Sequence, residues 1–422
     1  MRNNIGEKIF FLAIFFSCFN TLSLPSIYFT LADGLFVLAL FFVIVNKKKS
    51  SVKTLNEPFD QALLLSREMY IVWFFAWILL LVGYLLSLFF SMNQEALGTI
   101  TIVVQYFFIM VMVFYIFLNV VNPNNYMKLL KAYINGFISI IIIGMFFETF
   151  LPSLYLTLNA KGIFIGTVRF GSFLGSNGLS KLAATIIPII FFLLYNNAIT
   201  RKKFGFYLII LIVGSLKAAS NGGFLALFFS LVLTLLSLEG IKKKMRIIFL
   251  SFFVLIIIWS LTYFGFLNFS VFTNRVLNNI SSSSDLDDAG SFTMKIDMMK
   301  DALSHIVSNP ILGLGANGYL RINPWGQTVH NSYLLIWVEG GIFSFIGLLT
   351  LLLLPLKILK NKLSKFDKMN IKFFSIFLFI FMINIFTGNH IYQRFRLLLI
   401  ILFYFAVCYK SIEKGLGRGE AL

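Results

Sequence analysis

The strongest constraint on this chain is a series of apolar stretches of roughly bilayer-spanning length that recurs from one end of the sequence to the other. They run over residues 9–24, 27–46, 69–90, 97–119, 132–150, 179–196, 204–219, 222–238, 247–267, 332–356, 370–387 and 395–409. Unpaired backbone polar groups are costly in hydrocarbon, so runs of this kind are stable there as helices. The sequence therefore reads as an all-α polytopic membrane protein with about twelve transmembrane helices and a long outer loop containing short helices. Composition agrees, because 59% of the 422 residues are hydrophobic and only 12% are charged, outside the range of soluble globular chains. Both cysteines, Cys18 and Cys408, lie inside apolar runs, which argues against a disulfide framework or a thiolate metal site.

The basic residues orient these runs. Segments 1–8, 47–68, 120–131, 197–203, 239–246, 357–372 and 410–422 hold 25 of the 35 Lys and Arg, so the positive-inside bias puts them, and both termini, in the cytoplasm. No small-residue cleavage site follows the first run before Leu24-Pro25, so it is expected to be retained. Lys47-Lys48-Lys49, Arg201-Lys202-Lys203 and Lys242-Lys243-Lys244 are then topological anchors, and no nucleic-acid partner is expected. Four regions result: N-terminal helices over 1–150, central helices with an outer loop over 151–267, a large outer loop over 268–331, and C-terminal helices over 332–422. In the large loop, Phe292 to Val307 has helical spacing of Met294, Met298, Ala302 and Ile306, which predicts a helix lying on the membrane surface. Asn309-Pro310 ends it, and G-L-G-A-N-G follows at Gly313 to Gly318. That string has dinucleotide-site spacing but follows a helix stop rather than a strand, which argues against a nucleotide site.

Ten basic residues remain on the outer side: Lys161, Arg169, Lys181, Lys217, Arg275, Lys295, Lys300, Arg321, Arg394 and Arg396. Converging Arg forks and Lys point charges are what a pyrophosphate or polyanionic lipid head needs, although each residue alone could snorkel to the interface. The stretch H-N-S-Y-L-L-I-W-V-E-G-G, from His330 to Gly341, passes without a break from a polar corner into an apolar helix carrying Glu339. A histidine at such a mouth can take a proton near neutral pH, and an ionisable Glu339 at membrane depth is costly unless it has a task. The competing readings are an ordinary loop histidine and a carboxylate that serves a neighbouring helix. His305 falls in the surface helix, whereas His390 and Arg394 in T-G-N-H-I-Y-Q-R-F-R are candidate glycan or lipid-head contacts at an outer turn.

Taken together, V-R-F-G-S-F-L-G-S-N at 168–177, S-N-G-G-F-L at 220–225, N-P-I-L-G-L-G at 309–315, H-N-S-Y-L at 330–334 and E-G-G-I at 339–342 resemble the O-antigen ligase and polymerase family of bacterial membrane proteins. The resemblance covers roughly residues 165–355 and implies a glycosyltransferase that uses neither metal nor nucleotide cofactor. It implies transfer of glycan from undecaprenyl pyrophosphate at the outer face of the cytoplasmic (inner) membrane, to another lipid-linked glycan or to the lipid A core. It also implies that His330 is the loop histidine of the family and Arg169 the first of its outer arginines. Many members have Ser-Arg entering the eighth span where this chain has Ser220-Asn221, with Lys217 the nearest cation, and often an arginine where it has Lys295. The expected site is thus catalytic His330 and Glu339, pyrophosphate-binding Arg169, Lys217 and Arg321, and contacts from Asn177, Lys295, Asn331, His390 and Arg394. Polymerase is the preferred reading, with ligase as the alternative; flippase and chain-length regulator proteins are candidate partners beside the bilayer. A transporter is the second alternative, but internal repeats and mid-membrane charges are not evident in the sequence.

Overall fold

Ten of the twelve apolar runs form helices; the other two, 97–119 and 247–267, lie outside the described residues. The structure, a computed structural model, describes residues 5–24, 29–46, 57–90, 125–166, 169–240, 290–363, 367–388 and 395–416. In chain order the helices are α1 (Ile5–Phe16), α2 (Leu31–Asn46), α3 (Glu57–Phe90), α4 (Tyr126–Phe150), α5 (Pro152–Ala160), α6 (Ser176–Tyr195), α7 (Arg201–Lys217) and α8 (Asn221–Ser237). They continue with α9 (Gly290–Ser308), α10 (Gly318–Ile322), α11 (Ser332–Leu363), α12 (Lys368–Phe386) and α13 (Phe395–Leu416). Among the described residues, five helices are long and apolar enough to cross a membrane: those containing Glu68–Leu88, Tyr126–Phe150, Ser176–Tyr195, Ser332–Asn361 and Lys368–Phe386. Large side chains such as Phe41, Ile71, Phe75, Phe228 and Leu353 are exposed on the helices that carry them, as hydrocarbon-facing residues should be.

The first run departs from the expected span. Its helix stops at Phe16, and the chain turns into a two-residue antiparallel ribbon, Ser23–Leu24 with Phe29–Thr30. Polar groups dictate this, since Thr21 donates to the Ile163 carbonyl at 2.6 Å and Asp33 accepts from both the backbone and hydroxyl of Thr30. Elsewhere the starts are capped as the sequence permits: Thr200, Ser220 and Asp367 each accept a backbone N–H of the turn that follows.

α6 is the buried axis of the central helices and packs on α7, α8 and α12. Close approach depends on small residues, because Ser180 bonds Ser215 at 2.7 Å and a Cβ added at Gly223 would lie 2.0 Å from the Ser180 hydroxyl. α13 is also buried over Leu397 to Cys408, and Phe403 meets Phe192 of α6 edge-on. α3 lies along α11 at a seam of small residues, where the Ser344 hydroxyl donates to the Leu80 carbonyl at 2.6 Å.

α11 is not the unbroken helix expected from the sequence. Gly341 has φ 69° and ψ −171°, which interrupts it one turn beyond Trp337. The carbonyls released by the break are taken by the G-L-G loop: Leu314 N–H bonds Val338 O and Gly315 N–H bonds Glu339 O, both at 2.8 Å. A Cβ at Gly341 would lie 2.0 Å from the Ile311 carbonyl oxygen, so only glycine permits the approach. The N-P-I-L-G-L-G and E-G-G-I strings are two halves of one joint. Above it, α9 extends two residues further at its start than expected, and its Met298, Ala302 and Ile306 stripe is buried within the protein.

Candidate active site

The polar corner before α11 is built by its own side chains. Asn331 is buried and accepts the N–H groups of Tyr333 and Leu334 at 3.0 and 3.2 Å, capping the helix. Ser332 donates to the Gly388 carbonyl at 2.6 Å, tying the corner to the turn after α12. Val329 is fully buried on the other side. His330 is therefore held at both flanks while its half-buried ring carries no side-chain hydrogen bond among the described residues. Burial lowers its pKa below the ordinary histidine value, and Lys295 and Lys181 lower it further by repulsion. The shift favours the neutral ring, which can accept a proton.

A second cluster surrounds the start of α6. Arg169 donates to Asn177 at 3.3 Å, and Ser176 donates to the Arg169 carbonyl, so the loop arginine is pinned to the first turn of the helix. Ser172 fixes the loop by donating to Ile140 O at 2.6 Å. Tyr155 of α5 reaches the Gly166 carbonyl, and its pKa is pushed up to about 12, chiefly by burial and then by Glu148. Lys217, at the end of α7, sits 2.5 Å from the Glu148 carboxylate and 5.7 Å from the Phe170 ring centroid, so its charge is already met by an acid. Arg321 is exposed on α10, and Lys295 is half-buried on α9. His390 and Arg394 lie outside the described residues.

Two further cations converge here. Lys181, 3% exposed, donates to the carbonyls of Asn384 and Thr387 at 3.3 and 2.7 Å, at the C-terminal end of α12. Arg396, 5% exposed, donates to Gly178 O at 2.5 Å, and its Nε has no hydrogen-bond partner among the described residues. No carboxylate forms an ion pair with either among the described residues. The sequence identified both as outer basic residues but placed neither in the expected site. Their partners are backbone carbonyls about two hundred positions away, which no side-chain pattern announces.

Residues 206–349 match the family model of the O-antigen ligase. The match covers about a third of the chain and is a likeness to that family. No curated protein matches it. The matched region runs from α7 through the G-L-G loop and the His330 corner to the upper part of α11, whereas Arg169, Lys181 and Arg396 lie outside it. Members of this family are glycosyltransferase-like enzymes. Within the matched region, Glu339 is fully buried, and its carbonyl is engaged in the α11 joint. It lies about 12 Å along the helix from Asn331, a layer deeper than His330. The G-L-G amides are directed to helix carbonyls, so they do not form the phosphate-cradling loop that their spacing resembles. What remains is a histidine near two buried cations that form no ion pair with a carboxylate among the described residues, an arrangement suited to removing a proton close to a bound polyanion.

Proposed function

We propose that the chain is a polymerase of lipid-linked oligosaccharide repeat units, acting at the outer face of the bacterial cytoplasmic membrane. The observation that carries this reading is His330, whose ring has no side-chain hydrogen bond among the described residues, near the buried Lys181 and Arg396, in a region matching the O-antigen ligase family model. The donor is glycan on undecaprenyl pyrophosphate, and the acceptor is a sugar hydroxyl of a second lipid-linked unit. The hydroxyl oxygen forms a bond to the anomeric carbon as the bond from that carbon to the phosphate oxygen breaks. The hydroxyl proton passes to His330 and then to water, and the electron pair leaves with undecaprenyl pyrophosphate. Arg169 offers the departing charge a planar fork, and Arg396 and Lys181 lie at the same end of α6. Lys217 is better suited to holding Glu148 beneath the Arg169 loop than to contacting donor, and Arg321 suits the exposed rim. Glu339 supports the α11 joint from below.

The acceptor side favours polymerase. Loop 268–331 has four basic residues, Arg275, Lys295, Lys300 and Arg321, against Asp285, Asp287, Asp288, Asp297 and Asp301. Near-neutrality suits a glycan held by hydrogen bonds better than a polyphosphorylated lipid A core. Deletion of the gene tests this choice. Loss of a polymerase leaves single repeat units on their acceptor, whereas long chains accumulating on the undecaprenyl carrier above a bare core would identify a ligase.

A further inference from the structure

We propose that Lys181 is a positioning residue that makes the proton affinity of His330 depend on whether the anionic donor is bound. The proposal rests on the reading of His330 as the base and extends it to a residue outside the family match. Lys181 is clasped from several directions. Its ammonium group bonds the Asn384 and Thr387 carbonyls, Asn384 returns a side-chain N–H to the Lys181 carbonyl at 2.9 Å, and Thr185 accepts a second at 3.0 Å. The start of α8 leans on the same side chain, since a Cβ at Gly222 would lie 3.6 Å from Lys181 Cε and 3.7 Å from the Thr387 hydroxyl. The next carbonyl in the turn, Gly388 O, receives Ser332, two residues beyond His330. One turn of chain therefore holds the buried cation and the histidine corner in fixed relation.

The charged groups around this corner are mostly of one sign. α9 contributes Lys295, α6 contributes Lys181, and α13 places Arg396 behind it against Gly178, while Glu339 lies deeper on the helix that follows His330. Before donor binds, these cations disfavour a proton on His330. A pyrophosphate lodged among them offsets their field, so the imidazole becomes a stronger base when the donor is in place and an acceptor hydroxyl is to be deprotonated. Lys181 and Arg396, buried without an ion-paired carboxylate among the described residues, are costly to maintain, and a ligand-dependent role accounts for their retention.

The test is a pair of pH profiles on the purified full chain with a lipid-pyrophosphate-linked oligosaccharide donor. The acid limb of kcat/KM for donor reports free enzyme and that of kcat reports the complex. The wild type should show the kcat limb at the higher pH, by about one unit. Lys181→Met should bring the two limbs together by raising that of kcat/KM, and Lys181→Arg should keep them apart. An unchanged separation in Lys181→Met overturns the proposal. His330→Gln tests the base reading separately: activity with a wild-type acid limb removes the base itself, whereas inactivity leaves the Lys181 result decisive. Should Lys181→Met fail to fold, NMR titration of the wild-type His330 ring, assigned by its loss in His330→Gln, replaces it. Farnesyl pyrophosphate should raise the His330 pKa, and bound farnesyl pyrophosphate without that rise overturns the coupling.

Discussion

Replacing Gly341 with alanine should be far more damaging than its size suggests. The new methyl would lie 2.0 Å from Ile311 O, 2.7 Å from Ile311 C and 2.9 Å from Leu312 C. All three are backbone atoms, so the loop itself has to move. Displacement threatens the bonds from Leu314 to Val338, Gly315 to Glu339 and Ile342 to Ile311. At about 0.5–1.5 kcal/mol for each, their loss amounts to roughly 1.5–4.5 kcal/mol. With ψ −171° the φ of 69° lies in a region open essentially to glycine, which adds about 1–3 kcal/mol for any residue with a Cβ and gives a total of about 2.5–7.5 kcal/mol. Gly162→Ala is the control for a positive φ without a clash, because Gly162 has φ 72° with nothing within 4 Å of an added Cβ. Denaturant unfolding of both purified variants in the same detergent measures the difference. Equal stability of the two variants would refute the joint as the reason for the E-G-G string.

Arg169→Lys should lose most of the transfer activity of the wild type, because a point charge does not replace a fork on phosphate oxygens, and initial rates with purified protein will show whether it does. Lys217→Met should destabilise the protein by about 1–3 kcal/mol through the orphaned Glu148, and adding Glu148→Gln should recover much of that loss in the same unfolding assay. Reporter fusions at Asp287 and Lys365 should fall on opposite sides of the membrane; the same side for both would end the assigned orientation.

The helices were legible in the sequence because apolar length is a local property. The loop helix was too, since Met298, Ala302 and Ile306 recur at helical spacing and become its buried stripe. Its surroundings were less so, because periodicity shows that a face is buried but not whether protein or lipid covers it. The break at Gly341 escaped notice because its hydrogen-bond partners, Ile311 to Gly315, are separated from it by more than twenty residues. The His330 corner was visible through a chemically distinctive residue at a polarity boundary. Lys181 and Arg396 were not, because a basic residue at a helix end is equally well explained by snorkelling until its burial is known.

The most direct measurement uses purified protein and an undecaprenyl-pyrophosphate-linked repeat unit, with a chelator present, and follows release of undecaprenyl pyrophosphate alongside glycan length. The wild type should release one carrier pyrophosphate for each repeat joined, and a folded His330→Ala variant should release essentially none. Chain growth by His330→Ala at the wild-type rate, or no carrier release by the wild type, would contradict the account.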